Sequence, residues 1–184
     1  MTGVTTDTDP ATALCDAVVE MLLDTGIAGF DMDQIDERAN LPAGTCRRHF
    51  HSEGEIFAAL LERTASIYHA ELKESRQRHP DDLAACIVDW LACVVGPIRE
   101  RSQVIWALLL DPGTRATLTM YADALQVRWH RQVAATLGLP AHQVAVAWPM
   151  VEGWIGRTLL HNLPLPEPVA HTAHIQALLH AAER

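Results

Sequence analysis

Along the whole chain, apolar residues recur at three- and four-residue spacing. No segment alternates apolar with polar residues as a half-buried strand would, so the periodicity is helical throughout. Leu14, Ala17, Val18, Met21 and Leu22 form one such stripe. Asp9-Pro10 opens that helix with a capping side chain and a proline at the first helical position, and Gly26 ends it. Asp31 is placed to cap a second, short helix over Met32–Ala39, and Asn40 follows as a tight turn that tolerates positive φ. A third short helix covers Pro42–Phe50. Ser52-Glu53-Gly54-Glu55 has the S-x-x-E spacing of a capping box and opens a long helix to about Arg78. Further helices read as 82–95, 98–110, 114–137, 141–163 and 169–182, separated by Gly- and Pro-containing breaks, with Pro149 expected to kink its helix. The expected fold class is all-α, about nine helices. A three-helix head (1–51) precedes a larger helical bundle (52–184).

Composition supports a packed core: of 184 residues, 49% are apolar and 20% charged. No apolar run approaches the roughly 18 residues of a membrane span. The N-terminal MTGVTTDTDPATA lacks the basic start and apolar middle of a signal peptide, so a cytoplasmic protein with no membrane partner is expected. The net charge of −9 argues against a general polyanion binder. That charge is uneven. Residues 1–70 hold four Arg against twelve acids, a net of −8, and 71–184 hold ten bases against eleven acids, a net of −1. Within the acidic part, Arg38 to Ser52 carries three Arg and two His and no acid.

Catalytic and metal signals are absent. Cys15, Cys46, Cys86 and Cys93 form no CxxC pair and read as reduced thiols in a core. There is no H-E-x-x-H, no Gly-rich phosphate loop and no legible nucleophile grouping. His171 and His174 are three apart on a predicted helix, but with no carboxylate or thiol in register they read as surface helix. No enzyme, metal or cofactor is expected.

Two short helices joined at Asn40 make a helix-turn-helix, a motif whose second helix enters the DNA major groove. The corner alone occurs in many helical domains. The run Ile35-Asp36-Glu37-Arg38-Ala39-Asn40-Leu41-Pro42-Ala43-Gly44-Thr45-Cys46-Arg47-Arg48-His49-Phe50-His51-Ser52-Glu53 goes further. It resembles the signature of the TetR family of transcriptional regulators, which reads I-A-x-x-A-G-V-S-K-G-T-L-Y-x-Y-F-x-S-K there. With Thr25-Gly26-Ile27 before it and the long helix after it, the match spans about residues 11–63.

The resemblance implies a homodimer whose two heads bind a palindromic operator DNA and release it when a small-molecule effector occupies the C-terminal domain. It carries Ala43, Gly44 and Arg47 to base-reading positions and Met32, Thr45 and His49 to backbone-contact positions, with Arg48 between them. Arg47 or Arg48 suits guanine, because guanidinium can bond O6 and N7 as a fork. His49 and Thr45 suit phosphate oxygens, which fix position rather than sequence. Departures from the family pattern fall in the same place. Pro42 replaces the serine that caps the recognition helix, so that cap is expected to be lost. Arg47 replaces a tyrosine, Asp36 a common alanine, and Glu53 a lysine that usually meets phosphate. Asp33 sits where a basic residue is useful.

In the C-terminal bundle, Trp90, Trp106, Tyr121 and Trp129 are candidates for lining an apolar ligand pocket; core packing is the plain alternative. Gly153 and Gly156 flank Trp154, and mid-helix glycines suggest a close helix approach. The resemblance puts that approach at the dimer interface; packing within one chain is the alternative. The expected function is therefore a ligand-responsive DNA-binding regulator, a repressor released by a small apolar or aromatic ligand. Two rivals stand beside it. One is a TetR-like dimer that has lost DNA binding and serves as a small-molecule or protein-binding module. The other is an all-α enzyme, which would need convergent titratable groups in the bundle.

Overall fold

The computed structural model describes residues 9–161, 173 and 175–177. Among them it has eight α-helices and no strand: α1 (Pro10–Thr25), α2 (Ile35–Arg38), α3 (Thr45–His49), α4 (Glu53–Arg78), α5 (Leu83–Val95), α6 (Arg99–Leu110), α7 (Pro112–Leu137) and α8 (Ala141–Leu160). Short 3₁₀ turns cover Ile27–Gly29 and Met32–Gln34. The expected ninth helix, 169–182, lies mostly outside the described residues. Ala173 and Ile175–Ala177 are helical, and Ile175 is buried in the bundle core. His171 and His174 are not among the described residues.

Local chemistry sets most of the helix ends. Asp31, Ser52, Asp82 and Asp111 each accept a bond from a backbone N–H in the following turn. Asp111 starts α7 at Pro112, two residues before the expected 114. Glu55 returns the bond made by Ser52, but its carboxylate accepts from the N–H of His51 rather than that of Ser52. Asp9 caps with its carbonyl, which accepts from Thr12 and Ala13, and its side chain takes no part. The helix expected over Met32–Ala39 begins as the 3₁₀ turn and becomes α only at Ile35. Pro149 is accommodated inside α8.

α4 is the spine of the molecule and packs on α1, α5, α6 and α7. The head has no core of its own. Leu14, Val18 and Met21 of α1 share one buried cluster with Ile56 and Leu60 of α4 and Leu108 of α6. A Leu→Ala change at fully buried Leu14 or Leu60 therefore costs about 2–5 kcal/mol and loosens head and bundle together. A second cluster, in the bundle, centres on Trp90, Trp129 and Trp148 with Leu91, Val133 and Val151. No helix of the described residues is long and apolar enough to cross a membrane.

Candidate nucleic-acid interface and ligand cavity

At the head, α1 and α2 hold α3 on the surface. Asn40 turns the chain with φ of 53°, and Gly44 enters α3 with φ of 80°, a left-handed value that disfavours any side chain. The cap expected to be lost with Pro42 is supplied from a neighbouring helix. The buried Asp36 carboxylate accepts from the Gly44 N–H at 2.6 Å and the Cys46 N–H at 2.7 Å, so it ties the start of α3 to α2. Asp36, read from sequence as a departure, is thus what seats α3. An anion there also suits the positive end of the helix.

The outward face of this corner carries Ala43, Gly44, Arg47, Arg48 and His49, all exposed. Two expected DNA contacts are turned inward. Met32 is buried in the head core. Thr45 is also buried; its hydroxyl donates to the Pro42 carbonyl at 2.5 Å and accepts from Arg48 at 2.7 Å. Both therefore act on the surface by supporting it. Asp33 lies 2.6 Å from Arg47 in an exposed ion pair that raises the arginine's proton affinity and holds the carboxyl below its ordinary value. Cys46 is buried, as a core residue should be, and burial pushes its thiol up.

In the bundle, α4 to α8 line an open-sided cavity of about 250 Å³. Trp90, Trp106 and Trp129 line it, together with Tyr68, Trp148 and Glu152. Trp90, Trp129 and Trp148 pack on one another with ring centroids 5.2 to 6.2 Å apart. The Trp90 indole N–H donates to the Tyr68 carbonyl at 2.9 Å, and the Tyr68 hydroxyl donates to Ser102 at 2.7 Å. Burial pushes the Tyr68 phenol up to about 12. Tyr121 is not on this wall; it is 46% exposed on α7. Glu152 went unnoticed in the sequence, yet it follows Trp148 by one helical turn on the face that also carries Ile155. An acid in that register was the available signal.

The two glycines of α8 have different surroundings. A side chain at Gly156 would meet the Trp106 ring at 3.1 Å, so this glycine lets α6 approach α8 within one chain. Gly153 faces open space, beside exposed Val146, Met150 and Leu160; Trp154 is partly buried against the core. Among the described residues, no group of three or more His, Cys, Asp or Glu could hold a metal ion.

Helices α1, α4 and α6 link the two regions. Arg63 of α4 bonds Asp16 of α1 through two nitrogens, each at 3.2 Å, and Arg101 of α6 grips the same carboxylate. One turn further along α6, Ile105 and Trp106 line the cavity.

No family model matches the chain. The HTH-type transcriptional repressor NemR of Escherichia coli K12 is 21% identical over an alignment of 184 residues, which covers 86% of this chain and 89% of NemR. Among solved structures, the multidrug binding protein EbrR complexed with ethidium is similar at a TM-score of 0.69 and 20% identity, covering 94% of this chain and 99% of its own. A TetR-family member from Streptomyces coelicolor A3 gives 0.68 at 19% identity, over 92% and 98% of the two chains. A transcriptional regulator from Rhodococcus sp. Rha1 gives 0.70 at 17%, over 95% and 96%. At such identities the likeness is one of architecture, and it extends the resemblance carried by residues 11–63 to nearly the whole chain, which has the fold of the TetR-family regulators.

Proposed function

We propose that this protein is a ligand-responsive DNA-binding transcriptional regulator, a repressor that binds a palindromic operator as a homodimer and is released by a small apolar or aromatic effector. The observation that carries the reading is the α3 face. Arg47, Arg48 and His49 stand exposed on a recognition helix that Asp36 fixes in place. Fork-shaped guanidinium groups on such a helix suit guanine edges, and His49 with the backbone at Gly44 suits phosphate. Residues 1–51 act as the head and 52–184 as the effector and dimerisation unit. The ethidium bound by EbrR supports an aromatic effector for the Trp-lined cavity.

Release is a population shift. DNA favours the state whose two heads match two half-sites, and the effector favours another spacing, each by its differential affinity. The Asp16 junction gives that shift a route, because a ligand that moves Trp106 or Ile105 on α6 also moves Arg101 and its hold on α1. Dimerisation uses the outer face of α8, where Val146, Met150, Gly153 and Leu160 form an exposed, mostly apolar stripe. Gly156 belongs to the chain's own packing.

A second reading, a TetR-like dimer without DNA binding, is favoured by the Asp33–Arg47 ion pair, which occupies the leading base reader. Fluorescence anisotropy separates the two. The protein is titrated into DNA flanking its own gene at low and moderate salt, beside an Arg47→Ala, Arg48→Ala variant. Tight binding to one sequence that weakens with salt and vanishes in the variant supports the regulator. No binding at low salt overturns it in favour of the second reading.

A further inference from the structure

We propose that the effector of this cavity is an organic cation with a flat aromatic body, its positive charge set beside Glu152. The inference rests on the cavity being the effector site and adds the chemistry that the site selects. Two observations meet here. The first is the wall: Trp90, Trp106, Trp129 and Trp148 give it indole surface from four different helices. Ring faces carry a negative quadrupole, so they attract a desolvated cation as well as an apolar plate. At about 250 Å³ the space exceeds the ~150 Å³ cavity that holds benzene and admits about two fused rings.

The second observation is charge. Among the described residues, Glu152 is the one acidic residue on the wall, and no Lys, Arg or His shares the wall with it. Among the described residues it has no hydrogen bond or ion pair. Burial pushes its carboxyl up to about 7. The other ionisable group on the wall among the described residues, Tyr68, already donates its hydroxyl to Ser102 and holds its proton. Glu152 is half-buried, and a carboxylate partly withdrawn from water with no donor is favoured by a proton or by an arriving positive charge. A cationic ligand supplies that charge and keeps the carboxyl ionised. A neutral ligand of the same shape leaves the cost in place, and an anionic one adds to it.

The test compares N-methylquinolinium, a permanent cation, with quinoline, its neutral counterpart, by calorimetric titration of the full chain. At about pH 8 the cation should bind about tenfold more tightly than quinoline, and at about pH 6, with Glu152 protonated, that preference should shrink severalfold. Glu152→Gln should lose about tenfold in affinity for the cation and keep its affinity for quinoline, which also shows that its cavity is intact. Equal binding of both compounds by the unmodified chain overturns the proposal and leaves the cavity as an effector site. So does a cation affinity that is unchanged in Glu152→Gln. If neither compound binds, the cavity reading falls with it, while DNA binding by α3 is judged separately by anisotropy. Should the variant fail to fold, the pH comparison on the unmodified chain decides.

Discussion

Asp36 in the head is buried and Glu152 in the bundle is half-buried, and the protein treats these two carboxylates in opposite ways. Asp36 is 8% exposed and meets two backbone N–H groups at 2.6 and 2.7 Å. Glu152 lines a cavity of indoles and meets no donor among the described residues. A buried charge with matched donors fixes a backbone, because moving either partner leaves the other unsatisfied. A half-buried charge without donors fixes nothing and favours a proton or a counter-charge. The head therefore uses its acid to fix the start of α3, whereas the bundle leaves its acid open to whatever enters the cavity.

The largest effect should follow from breaking the first half of that contrast. Asp36→Ala orphans the Gly44 and Cys46 N–H groups near the start of α3, each costing about 1–3 kcal/mol where buried. A loss of about 3 kcal/mol is expected in urea denaturation, and DNA binding should fall as far as in the Arg47, Arg48 double variant. Ligand binding in the cavity should persist. An unchanged midpoint with unchanged DNA binding would mean that the cap is incidental.

The second half predicts the opposite sign. The Glu152 carboxyl is raised from 4.5 to about 7, so between those values the unfolded chain ionises while the folded chain keeps its proton. Stability contributed there falls as pH rises and is fully lost above about 7. Glu152→Gln removes the titration. Discounted for partial exposure, it should stabilise the protein by about 2 kcal/mol at about pH 8 and by nothing at about pH 4. A midpoint raised equally at both values would point to packing rather than charge.

Between the two regions, Asp16→Asn keeps the shape of the junction and removes its charge. Asp16 is 44% exposed, so the folding cost should be about 1 kcal/mol. The larger consequence is for coupling. DNA and ligand should each still bind, but the ligand should displace DNA less effectively, as read by anisotropy with saturating ligand. Full release by the ligand in Asp16→Asn would route the coupling elsewhere.

These contrasts differ in how far the sequence reveals them. The long helices were legible because each repeats an apolar stripe and most are bounded by Gly, Pro or a capping side chain; Asp31, Ser52, Asp82 and Asp111 all cap where they stand. The exposed face of α3 was legible through its run of basic residues. What stayed hidden depends on contacts distant along the chain or on inward rotation. Asp36 reaches eight and ten residues ahead to Gly44 and Cys46, so a rule built on local spacing sees only a lost serine. The inward orientation of Thr45 and Met32 was hidden because α3 and the 3₁₀ turn are too short for a sequence periodicity to mark a face. Gly156 was ambiguous because its partner, Trp106, lies fifty residues earlier in sequence.

The smallest effect sharpens the head itself. Asp33 and Arg47 are exposed, and in the proposed function their ion pair would compete with DNA for the guanidinium. Asp33→Asn frees Arg47 and raises the head's charge by one. Folding stability should not change, since exposed pairs contribute little. DNA affinity should rise severalfold, and the slope of log affinity against log salt should steepen by about one as an additional phosphate contact forms. Asp24→Asn is the control. It makes the same charge change but breaks a pair with Arg38 of α2, 2.7 Å away, and leaves Arg47 paired. If Asp33→Asn alone tightens binding, Asp33 is a local brake on the recognition helix. If both variants tighten it equally, the acidic head opposes DNA through its overall field, and the Arg47 pair has no special part.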